Sequence, residues 1–85
     1  MINFDEKLIL VKAIIDLLKL NFNVDIESSI QEKEWRVRFI ILHNQLDIKI
    51  DLYVELSKLT INKLPLTYDE ICKELKQEYI KLLER

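Results

Sequence analysis

The sequence predicts a small α+β domain of two layers, in the order helix, strand, strand, strand, helix. An antiparallel three-stranded sheet, four-stranded if a short segment near Leu59 joins it, is expected to carry both helices on one face. Three observations lead there. The apolar period is helical from Phe4 to Leu20, switches to two at Asn21, and returns to helical spacing after Pro65. The chain has 85 residues, 49% of them hydrophobic, which sets one domain over residues 1–85 that buries roughly 60–65% of its unfolded surface.

The first helix, Phe4 to Leu20, opens with Asn3 and Glu6 at the N-cap and N3 positions of a capping box. Asp5, Lys12, Asp16 and Lys19 share one wet strip, and apolar residues fill the remaining arc of roughly 260°. That arc is wide enough to rest on a sheet and still offer a side to the second helix or to a second copy of the chain, so a homodimer through this helix is expected.

The first strand begins at Phe22, Val24 and Ile26, alternating with Asn23, Asp25 and Glu27. Ser28 to Lys33 reads as a polar connection. In the second strand, Glu34 to Leu42, Trp35, Val37, Phe39 and Ile41 are expected inward, and Glu34, Arg36, Arg38, Ile40 and Leu42 outward. The third, Leu46 to Leu56, sends its even-numbered residues inward, against Asp47, Lys49, Asp51, Tyr53 and Glu55. A two-residue turn at Asn44-Gln45 pairs His43 with Leu46, Ile41 with Ile48, Phe39 with Ile50, Val37 with Leu52 and Trp35 with Val54. It sets Arg38 opposite Asp51 and Arg36 opposite Tyr53, whereas a turn one residue earlier opposes Arg38 to Lys49. With no glycine in the chain, the asparagines, Asn44 above all, are the expected left-handed residues.

After Leu56, Leu59 and Ile61 alternate with Thr60 and Asn62, as a short edge strand or arm would. Thr67 and Glu70 then form a T-x-x-E capping box for a helix from Tyr68 to about Glu84. Its apolar stripe runs through Tyr68, Ile71, Cys72, Leu75, Tyr79, Leu82 and Leu83.

Composition removes several function classes. Without glycine there is no phosphate-cradling loop, dinucleotide fingerprint or nucleophile elbow. The formal charge is −2, from 13 basic and 15 acidic side chains spread along the chain, so no basic field exists to hold phosphates. Cys72 falls on the helical apolar stripe as a buried, inert thiol, and one cysteine points to a reducing, cytoplasmic setting. The acidic start, MINFDEK, is unlike a secretory signal, and Lys12, Asp16 and Lys19 break the apolar run too often for a membrane span. No cofactor is expected. His43, the only histidine, reads as a partly exposed turn residue, and one His with one distant Cys cannot close a zinc site.

Asp47-Ile48-Lys49 is similar to the D/E-x-K signature of the restriction-endonuclease-like nucleases. The resemblance implies a divalent metal between Asp47 and another acid, Asp25, Glu34 or Asp51, with Lys49 positioning the attacking water. The plainer reading is that alternation gives any strand such charges on its wet face. Nucleic-acid binding draws on Arg36, Arg38, Lys49 and Tyr53, and is opposed by Asp25, Glu27, Glu34, Asp47, Asp51 and Glu55 on the same face.

The favoured expectation is a non-enzymatic module that binds a larger protein through Arg36, Arg38, Ile40, Leu42, Lys49 and Tyr53. Ile40 and Leu42 are large apolar residues turned away from the helices, beside arginines and an aromatic ring, the mixture interface centres favour. Brevity and Ile/Lys/Asn-rich usage suit a small phage or mobile-element protein that inhibits a host machine such as a defence complex; that step is association.

Overall fold

A computed structural model describes residues 4–84 and has the expected α-β-β-β-α order. Helix α1 spans Phe4–Asn21, strands β1, β2 and β3 span Val24–Gln31, Arg36–His43 and Lys49–Glu55, and helix α2 spans Leu64–Leu83. The sheet is antiparallel with order β1-β2-β3, α1 packs beside β1 and α2 beside β3, and the two helices touch each other.

Three rows of side chains cross the inner face: Ile30, Val37 and Val54; Ser28, Phe39 and Leu52; Ile26, Ile41 and Ile50. Val37, Phe39 and Ile41 are wholly buried, as are Ile14 and Leu18 of α1 and Leu75 of α2, so the core lies between β2 and the helix pair. The seam between the helices is polar at one point. Asn21 Nδ2 donates to the Tyr68 hydroxyl at 2.8 Å and to Leu17 O at 3.0 Å, holding the end of α1 against α2. Burial raises Tyr68 above the usual tyrosine pKa of 10.0, helped by its contact with Cys72, and burial likewise raises Tyr79.

Several expectations are corrected. β1 does not stop at Glu27 but runs to Gln31, because Ile30 keeps the alternation and pairs with Val37. Ser28 and Ser29 are tolerated because β1 is an edge strand, paired on one side only. The connection to β2 is a tight 3-10 turn, Glu32–Glu34, closed by Trp35 at φ 54°, the single positive-φ residue among the described ones. Trp35 is therefore turned out of the core, 54% exposed, and does not pair inward with Val54.

The β2–β3 pairing is shifted by two residues from the one predicted: Arg36 faces Glu55, Arg38 faces Tyr53 and Ile41 faces Ile50. His43 N–H reaches Ile48 O at 3.0 Å, so the loop is Asn44 to Asp47, longer than a two-residue turn, and Leu46 is left exposed. Histidine closes that loop: its Nδ1 accepts the N–H groups of Gln45 (3.1 Å) and Leu46 (2.9 Å). Asn44 needs no left-handed backbone there, and its side chain bonds Asn23 at 2.7 Å instead.

No fourth strand forms among the described residues. Leu56–Lys58 is a 3-10 turn that drops Leu59 into the core, leaving Ile61 exposed. α2 begins at Leu64, four residues before the expected start at Tyr68, with Pro65 in its first turn where a missing N–H costs nothing. Thr67 is thus inside the helix and caps nothing; its buried hydroxyl donates to Lys58 O at 2.8 Å and ties the 3-10 turn to α2. Lys63 N–H reaches Thr60 Oγ1 at 3.2 Å, so Thr60 supports the turn into the helix. Asn3, the expected cap of α1, lies outside the described residues.

Candidate functional site

The register fixes the outer face of the sheet as four rows: Gln31, Arg36, Glu55; Ser29, Arg38, Tyr53; Glu27, Ile40, Asp51; Asp25, Leu42, Lys49. All six residues singled out for partner binding, Arg36, Arg38, Ile40, Leu42, Lys49 and Tyr53, stand on this face, on the two adjacent strands β2 and β3. Both helices lie on the other face, where the core is, so no element of the described chain covers these rows.

The chemistry of the patch is mixed. Leu42 is 43% and Tyr53 49% exposed, and Ile40 stands half-buried between them. Arg36 stacks its guanidinium 3.8 Å from the centroid of the Tyr53 ring, reaching diagonally across the strands, and Gln31 Oε1 accepts from Arg36 Nε at 2.6 Å. Arg38 also reaches diagonally, gripping Asp51 through Nε (2.9 Å) and Nη2 (2.5 Å). That fork holds the Asp51 carboxyl below the usual carboxylate range and keeps the guanidinium protonated. Two planar guanidinium groups are thereby held beside the aliphatic centre.

The nuclease-like reading loses its geometry. Asp47 sits in the loop while Lys49 opens β3, Asp51 is held by Arg38, Glu34 lies in the 3-10 turn at the opposite end of β2, and Asp25 is separated from Lys49 by Leu42. Among the described residues no three His, Cys, Asp or Glu side chains gather as metal ligands. Glu34 and Asp47 also leave the outer rows, which still hold four acids against Arg36, Arg38 and Lys49. His43 is committed to its loop and to an edge-on contact with Tyr79, and Cys72 is a buried free thiol.

Trp35 is one of the residues the sequence pattern misplaced. It adjoins Arg36 at one end of the patch and, with Glu55 and Leu56, borders an open groove of about 510 Å³. An exposed tryptophan in a left-handed conformation is costly for a β-strand-forming aromatic, and such outliers cluster where a side chain is presented for use. Nothing in the run Gln31 to Trp35, which contains neither glycine nor asparagine, signals a left-handed position in advance.

Among the described residues no helix is long and apolar enough to cross a membrane. No family model matches the sequence, and comparison with curated proteins and with solved structures found no match.

Proposed function

We propose that this protein is a non-enzymatic module that binds and modulates a larger protein through the outer face of its sheet. The observation that carries the reading is that Ile40, Leu42 and Tyr53 form an uncovered apolar band flanked by an arginine stacked on the ring and another locked to Asp51. Such a band, with its arginine and aromatic neighbours pre-ordered, has the composition and rigidity of an interface centre. Trp35 extends it at the Arg36 end. A cytoplasmic inhibitor carried by a phage or mobile element, acting on a host complex, suits its Ile/Lys/Asn-rich residue usage.

Register selects the test. Ile40 stands between Glu27 and Asp51, so aspartate there adds like-charge repulsion within the fold, whereas Ile40→Lys places a cation between two carboxylates. Affinity capture from the source cell, or from its host, with wild type, Ile40→Lys and Leu42→Gln is expected to give a partner retained by wild type and lost by both variants. Binding should also change the fluorescence of Trp35, the only tryptophan. Variants that fold normally and hold the same partner as strongly as wild type would remove the outer face from consideration.

A further inference from the structure

We infer that the free edge of β3 is a self-association surface, pairing with the β3 of a second copy about a twofold axis at Leu52 to give a continuous six-stranded sheet. This does not rest on the outer-face reading.

Two hydrogen bonds, His43 N–H to Ile48 O and Leu56 N–H to Trp35 O, show that the even-numbered residues of β3 turn their peptides toward β2. By antiparallel alternation Lys49, Asp51, Tyr53 and Glu55 turn theirs to the open side, and no backbone bond inside the described chain engages them there. The edge carries no proline or bulge to repel another strand.

A twofold antiparallel pairing must match outward-pointing residues with one another, which leaves few registers. With the axis at Asp51 that residue meets its own copy, and with the axis at Tyr53 it meets Glu55. With the axis at Leu52, Lys49 meets Glu55 of the second copy, twice over, and Asp51 meets Tyr53. On the inner face Ile50 then meets Val54, and Leu52, only half-buried in the single chain, meets itself.

An open groove of about 410 Å³ runs between the β3 edge and α2, floored by Leu52 and Ile71 and flanked by Glu70, Lys73, Glu74 and Gln77. Lys58 and Lys73 stand there with Glu70 and Glu74, Lys58 pairing with Glu70 at 3.4 Å, so the groove offers both signs of charge to a second copy. The other edge is poorer: on the outer face of β1 the charges are Asp25 and Glu27, with no base to answer them.

Sedimentation equilibrium of wild type, Lys49→Glu, Glu55→Lys, the double exchange and a mixture of the two single variants tests the surface. Wild type is expected to dimerise reversibly. Each single variant opposes like charges twice and should associate at least about tenfold more weakly. The double exchange should restore self-association, and mixing the single variants should produce a heterodimer. Both side chains are exposed, and circular dichroism checks that the variants fold. A monomeric wild type, single variants that associate as tightly as wild type, or a mixture that fails to recover overturns the proposal. So does a dimer dissolved by Ile9→Lys and Leu20→Lys, two exposed positions of α1, and untouched by the charge exchanges.

Discussion

The two faces of β2 are built from alternate residues of one octapeptide, yet different physics governs them. Val37, Phe39 and Ile41 lose all contact with water, whereas Arg36, Arg38, Ile40 and Leu42 keep part of theirs, and only the first set must fill a fixed volume. The inner face tolerates nothing but shape; the outer face tolerates any residue that satisfies its charges. Phe39→Ala should therefore have the largest effect of any change on the sheet, a loss of about 3–5 kcal/mol in urea unfolding, from the buried ring and the cavity it leaves. Ile40→Lys, one residue on, should change stability by no more than about 0.5 kcal/mol, although it removes a comparable apolar side chain. Near-equal losses for the two would mean that the outer face is covered in solution.

The same contrast holds between buried and exposed polar contacts. Thr67 is 3% exposed and its hydroxyl makes a part-buried bond that fastens the Leu56–Lys58 turn to α2, beside the exposed Lys58–Glu70 ion pair. Thr67→Val keeps the shape but strands the Lys58 carbonyl, with an expected cost of about 1–2 kcal/mol; Thr67→Ser, which retains the donor, should recover most of it. If valine proves neutral, water reaches that carbonyl and the turn is looser than its geometry implies.

The unequal legibility of the sequence has the same origin. Periodicity located both helices, the three strands and which residues of β2 face the helices, because burial imposes one rule along a whole element. It could not place the ends of β1, since an edge strand accepts serines that resemble a loop, nor predict that Trp35 would occupy the left-handed position of a glycine-free hairpin. The charge rule used for the hairpin joined the right partners in the wrong register. Arg38 does hold Asp51 and Arg36 does meet Tyr53, but each reaches diagonally from a strand displaced by two residues. A displacement of two leaves every face unchanged, so neither the apolar pattern nor long flexible side chains could detect it. Arg36, Arg38, Ile40, Leu42, Lys49 and Tyr53 share one face despite that error, because a shift of two does not change which face a residue occupies.

The smallest expected effect tests the outer face through pH. Arg38 holds the Asp51 carboxyl below its ordinary value of 3.8, so the folded chain binds a proton there less readily than the unfolded chain. The unfolded state therefore takes up the proton first on acidification. The contribution of the pair is complete above the ordinary carboxylate range and is lost as pH falls through it toward the lowered folded value. Thermal midpoints measured from about pH 6 down to about pH 2 should fall more steeply for wild type than for Asp51→Asn, the two curves converging at the acid end. Both side chains are 37% exposed, so the separation should be small and should shrink with salt. Arg38→Gln should reproduce the shallower acid limb, because either partner alone abolishes the fork. Parallel curves for wild type and both variants would show that the fork is absent in solution and that the Ile40 flank of the patch is mobile rather than pre-ordered.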